Sequence, residues 1–252
     1  MSTEHATPAR TIVVTGSSRG IGLHLATHFL DLGYRVVGIS RSPTPIDHAS
    51  FRHITADLGD LGQIAAVADA LAGEPIAGLI NNAGANGPIG AYEAAPMDSW
   101  VQTFHVNLFG PAALTQACIP ALRENDGFIV FLSGGGSAFP RPNFSSYGIS
   151  KTAVVRLSEV LALELAPEVL VYCVAPGPNP TQLLQEAIDG GEHVPDGDMV
   201  DFGYTQRLCT FLAQNRDPRY SGKFIHVKDN YTEWGDRELA GDGYTLRRIK
   251  VT

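Results

Sequence analysis

Tyr147 and Lys151 lie four residues apart in Y-G-I-S-K. On a helix that spacing puts both side chains on one face. A tyrosine hydroxyl ordinarily ionises near pH ~10, too high for ready proton exchange at neutral pH. A neighbouring ammonium favours the phenolate and lowers that value. The pair is therefore a proton-transfer device if it faces a cleft, and a solvated helix-surface pair if it does not. A second chemical feature is T-G-S-S-R-G-I-G at 15–22. Its glycines let the backbone turn tightly and approach a pyrophosphate, which a following helix N-terminus favours electrostatically. An ordinary strand-to-helix turn has the same composition, so context decides. The glycines at 134–136 let the backbone pass close to a substrate or form a flexible loop.

These groups need elements to position them. Short apolar runs at 11–15, 35–40, 51–55, 77–81, 128–132, 169–175 and 224–227 read as seven strands. Helical patterns fall at 20–32, 61–72, 98–124 and 145–166, the third bent near Gly110-Pro111 because proline removes a helical hydrogen bond. Nearly continuous apolar strands alternating with helices predict a parallel sheet covered on both faces. Right-handed crossovers make it a single-domain Rossmann-type, doubly wound α/β fold. In such sheets the ligand crevice lies beyond the C-terminal strand ends. The glycine turn, Asn81, Ser133 and Pro176-Gly177 then meet at one edge.

The chain of 252 residues carries a net charge of -8 with 44% hydrophobic residues. Strong acidity argues against binding a nucleic-acid backbone. The polar leader 1–10 and the lack of long apolar runs predict no membrane segment and a cytoplasmic location. Cys118, Cys173 and Cys209 are odd in number and dispersed, as suits a reducing compartment, and Cys173 reads as core. His24 and His28 are half of a metal site at most, and a helix surface is the preferred reading, so no metal is expected.

The ordered motifs resemble the short-chain dehydrogenase/reductase family. T-G-x-x-x-G-x-G is followed by N-N-A-G at 81–84, by Ser133 after the fifth strand, by Y-G-I-S-K, and by P-G-x-x-x-T at 176–181. The match runs from about 11 to 181. The resemblance implies an oxidoreductase moving a hydride between a nicotinamide dinucleotide and a carbonyl or secondary alcohol. It implies that Tyr147 is the general acid or base and that Lys151 lowers its pKa and holds the nicotinamide ribose. It gives Ser133 the substrate carbonyl oxygen and Asn107 a water in a proton relay. It places the cofactor on Gly16, Ser18, Arg19, Gly20, Ile21, Gly22, Asn82, Ala83, Gly84, Pro176, Gly177 and Thr181, with Asp57 and Leu58 at the adenine. An acidic residue ending the second strand would select NAD. Here Ser40-Arg41 stands there, and with Arg19 it predicts NADP(H) in preference to NAD(H), since arginine holds phosphate bidentately.

Three departures stand out. Asn179 replaces a Val or Ile near the nicotinamide amide. K-D-N at 228–230 replaces the usual Asp-Gly-Gly, and an atypical charged tail runs over 228–252. A homodimer or homotetramer is expected, with the tetramer contacts put in question by that tail. Segment 182–202 reads as a lid over the substrate. Arg141 and Asn143 are candidates to touch a polar substrate, such as a sugar or sugar phosphate. The expected activity is an NADP(H)-dependent ketone reductase. An oxidatively working alcohol dehydrogenase and a non-catalytic dinucleotide sensor are the alternatives, and an epimerase with a separate substrate lobe fits the length poorly.

Overall fold

The computed structural model describes residues 10–134, 136–241 and 243–246. Seven strands form one parallel sheet in the order β3-β2-β1-β4-β5-β6-β7. They are β1 Thr11–Thr15, β2 Arg35–Ser40, β3 Phe51–Thr55, β4 Ile76–Asn81, β5 Phe128–Leu132, β6 Leu170–Ala175 and β7 Phe224–His226. The order reverses between β1 and β4, which opens a crevice at the C-terminal strand ends. β1, β4, β5 and β6 are buried throughout, as a sheet with helices on both faces requires.

Alternate side chains of the strands feed two cores. Ile12 and Val14 pack with Leu25 and Phe29 of α1 (Gly20–Asp31) and with Leu208 and Leu212 of α7 (Phe202–Asn215). Val13 points the other way, toward Ile64 of α2 (Leu61–Ala70), Leu114 of α4 (Gly110–Glu124) and Val154 of α5 (Ser145–Glu164). α1 stops at Leu32 because Gly33, at φ 85°, reverses the chain.

The single helix expected over 98–124 is in fact interrupted. α3 (Met97–Phe104) gives way to a widened π-type turn at His105–Phe109 before α4 begins. The irregularity thus precedes Gly110-Pro111. Its cause is Asn107, whose buried amide leaves the helix face to clamp Ala85: Oδ1 accepts from the Ala85 amide at 2.8 Å and Nδ2 donates to the Ala85 carbonyl at 2.9 Å. Gly110 lets the turn lie against the backbone carbonyl of Leu58, which a Cβ there would strike.

Two elements escaped the sequence pattern. α6 (Gln182–Asp189) occupies the first part of the expected lid, and α7 was not foreseen at all. Thr205, Leu208, Cys209 and Leu212 do carry its helical spacing. The tail folds back through a turn at Tyr231–Glu233 and the short α8 (Asp236–Leu239). Trp234 stacks between Tyr220 and Tyr244, with ring centroids 5.7 and 4.0 Å away. The Tyr244 carbonyl accepts the Phe224 amide at 2.8 Å, covering part of the β7 edge. The leader through residue 9, Gly135, Asp242 and the segment 247–252 lie outside the described residues.

Candidate active site

One cleft of about 1190 Å³ opens at the C-terminal sheet edge. Every catalytic or cofactor residue implied by the resemblance lines it except Gly22 and Asn107. Gly22 acts from behind: a Cβ there would collide with the carbonyl of Gly16. Gly16 and Gly20 have φ 68° and 55°, which glycine adopts without strain. α1 starts with no capping side chain and no acid in its first turn, so its leading amides face the cleft uncovered. Thr15, which the motif reading passed over, locks the floor. Its hydroxyl oxygen accepts from the amides of Asn82 and Ala83 at 3.0 and 3.1 Å.

At the end of β2, Ser40 donates to the Ser42 carbonyl at 2.8 Å and contacts His53 Nε2 at 3.0 Å. These bonds shape the loop that presents Arg41. Its guanidinium is largely exposed and lies 3.9 Å from the Asp57 carboxylate.

Tyr147 and Lys151 share the buried face of α5. Lys151 Nζ donates to the Leu132 carbonyl at 2.8 Å, and burial pushes its pKa down to about 8. Asn107 Oδ1 and Lys151 Nζ flank Gly84, each 3.4 Å from where its Cβ would be. Asn107 also donates to Ser150 at 2.9 Å. The Tyr147 hydroxyl is pushed above its ordinary pKa by burial, with Arg141 pulling it down and Glu192 pushing it up. The expected lowering by Lys151 is therefore not the dominant influence here; its ammonium is turned to the Leu132 carbonyl.

Ser133 lines the cleft just beyond β5. Its hydroxyl donates to the Lys151 carbonyl at 3.1 Å and sits 2.7 Å from Ser137 Oγ, which in turn donates to the Gly134 carbonyl. Gly134 lies against the Tyr147 hydroxyl, where a Cβ would strike that oxygen. The Ser133 hydroxyl has one proton, which can turn to these partners or to the cleft that the residue lines.

On the substrate side, α6 forms a roof. Ala187 packs with Phe144 and Tyr147. Asn86, buried, donates to the Leu183 carbonyl at 2.8 Å and to Glu186 at 3.4 Å. Arg141 faces the cleft, but Asn143 does not line it; at φ 68° it forms the turn before α5. His24 and His28 do not converge. His24 stacks on Phe202 at 3.9 Å, and His28 bonds Thr210 at 2.7 Å.

The family model described as short chain dehydrogenase matches residues 10–190. The chain belongs to the short-chain dehydrogenase/reductase family. It is 29% identical over 243 residues to an uncharacterized oxidoreductase of Schizosaccharomyces pombe, covering 88% of this chain and 98% of the relative. A Beutenbergia cavernae protein described as an NAD(P)-dependent gluconate 5-dehydrogenase, solved with bound NADP, superposes with TM-score 0.78 at 28% identity over 88% of this chain and 96% of that one. A Brucella melitensis 3-ketoacyl-(acyl-carrier-protein) reductase, solved with NADH, gives 0.78 at 25% identity over 86% and 96%. As a member of this family the chain is an oxidoreductase acting on CH–OH or carbonyl groups with a nicotinamide dinucleotide.

The cleft fits such a dinucleotide. The uncapped start of α1 suits the pyrophosphate. Asn179 lines the same cleft. It donates to the Pro176 and Gly177 carbonyls at 2.7 and 3.1 Å, while its Oδ1 is buried without a partner. An orphaned acceptor there matches the chemistry of a carboxamide donor.

Proposed function

We propose that this dehydrogenase/reductase is an NADP(H)-dependent reductase of a polar, hydroxylated ketone. The observation that carries the reading is the convergence of Tyr147, Lys151 and the uncapped α1 start in one cleft. When bound, the dinucleotide supplies or accepts a hydride. Tyr147 gives its proton to the carbonyl oxygen as that oxygen gains charge. Lys151 steadies the ribose and favours the tyrosinate left behind. Asn107 holds the Ala85 segment at the nicotinamide and orders the proton path beside Lys151. Ser133 supports the Lys151 backbone.

Arg41 and Arg19 favour a 2′-phosphate, and no carboxylate ends β2. Asp57 and Leu58 remain the adenine contacts. Glu186, Asn86 and the Arg141–Glu192 pair give the substrate wing the polar lining that suits a sugar-like ligand. Ile149, Val160 and Leu163 leave apolar side chains exposed along α5, which supports a homodimer or homotetramer. No helix among the described residues is long and apolar enough to cross a membrane. A cytoplasmic location belongs to the same reading.

The test is NADPH consumption against keto-sugars, keto-sugar phosphates and simple hydrophobic ketones, with Tyr147→Phe as the blank. Turnover on the polar compounds, lost at least about a thousandfold in the variant, is expected. Saturation by hydrophobic ketones alone overturns the substrate class. Turnover only with alcohols and NADP favours the oxidative enzyme. Cofactor binding without turnover in either direction favours a sensor.

A further inference from the structure

Arg141 occupies a seat built for a guanidinium. Gly136, at φ 86°, lets its chain lie close; a Cβ there would stand 3.2 Å from Arg141 Cβ and 3.5 Å from Cδ. The guanidinium carbon rests 3.9 Å above the Phe144 ring and 5.6 Å from the Tyr147 ring centroid. Nε donates to Glu192 Oε2 at 3.0 Å, and Nη2 lies 2.9 Å from the same oxygen as an ion pair. The two side chains are only 16% and 27% exposed, so solvent screens the pair less than a surface bridge. Glu192 belongs to the segment after α6, and Arg141 to the loop before α5. The bridge thus joins the substrate roof to the loop that carries Gly134 past the Tyr147 hydroxyl.

We propose that the Arg141–Glu192 ion pair is a positioning pair for proton transfer, setting the electrostatic environment of Tyr147 from the substrate side. This rests on the reading of Tyr147 as the proton donor. On the substrate side this pair lies next to the tyrosine, with the Arg141 guanidinium carbon 5.6 Å from its ring centroid. Arg141 favours the tyrosinate and Glu192 opposes it, which agrees with the signs found at Tyr147. Lys151 on its own helix, Glu186 on α6 and His193 beside Glu192 are further ionisable groups lining the cleft on this side. Because the bridge spans roof and loop, any ligand that pulls Glu192 away leaves Arg141 unopposed beside the donor.

The experiment needs no substrate. The full chain is labelled with [ζ-13C]tyrosine, and the Tyr147 resonance is assigned by its loss in Tyr147→Phe. Its titration is followed on folded protein, with circular dichroism marking the limit. Glu192→Gln is expected to lower the midpoint by about one unit, and Arg141→Gln to raise it by a similar amount. Arg141→Lys keeps the charge and stays near the parent. The double variant Arg141→Gln/Glu192→Gln returns toward the parent. Equal midpoints in the parent and both single variants, or shifts of the same sign, overturn the proposal. A titrating Tyr147 with correct shifts but no turnover on any carbonyl would leave this pairing standing and sink the reductase reading instead.

Discussion

Lys151 carries a measurable consequence at the residue scale. Its pKa falls from 10.5 to about 8 on burial. Between those values the unfolded chain holds the proton that the folded chain has released, so this residue adds stability as pH rises from about 8 to 10.5. The full difference is worth about 3 kcal/mol. Urea unfolding of the parent and Lys151→Met across that range should show their stabilities diverging, the parent gaining; a constant offset would refute the burial account. Ser133→Ala is the complementary case. If its hydroxyl supports the Lys151 carbonyl and not the substrate, kcat in NADPH oxidation falls by less than about tenfold, against the 10²–10³-fold typical of losing an oxyanion donor. Tyr147 and Lys151 were legible because four-residue spacing on a helix is a local property. The direction of the Ser133 hydroxyl was not, because it depends on Ser137 and on a carbonyl 18 residues away.

At the scale of elements, the seven strands and the helices α1, α2 and α5 follow from apolar runs and helical periodicity, with β3 the weakest of the runs. The interrupted α3–α4 region was misread. Proline was the visible cause of a bend, but the operative residue is Asn107, whose pull on Ala85 joins segments 22 residues apart. α7 is hidden for a different reason: Gly203 and Gln206 dilute its apolar stripe, and the segment before it reads as a lid. The interrupted helix supplies its own test. Gly110→Ala should cost about 1–3 kcal/mol, since its Cβ meets the fixed Leu58 carbonyl. Denaturation midpoints would show the loss, and Leu58 at the adenine end ties it to weaker cofactor binding. An unchanged midpoint would mean the two backbones separate freely.

For the whole molecule, the cleft gathers residues from nearly the full chain, so filling it should stabilise the fold as one unit. NADPH at a hundred times its Kd adds about 2.7 kcal/mol, or roughly 5–10 °C in Tm for a domain of this size. NADH at equal concentration should add less, and Arg41→Ala should narrow the gap. Equal shifts with both dinucleotides would dispose of the NADP preference. The size of the sheet and its parallel, doubly wound character could be foreseen, because parallel α/β topology has few solutions. The docking of the tail could not, since it depends on aromatic stacking among Tyr220, Trp234 and Tyr244.

That stack makes the molecule its own optical gauge. The chain has only two tryptophans. Trp234 is sandwiched in the tail, and Trp100 donates to Ser145 Oγ at 3.0 Å, at the first residue of the helix that carries Tyr147. Replacing one by phenylalanine leaves an emission that reports a single end of the protein. The Trp234→Phe protein would glow in response to events at the catalytic helix, and the Trp100→Phe protein to release of the tail, with no dye attached.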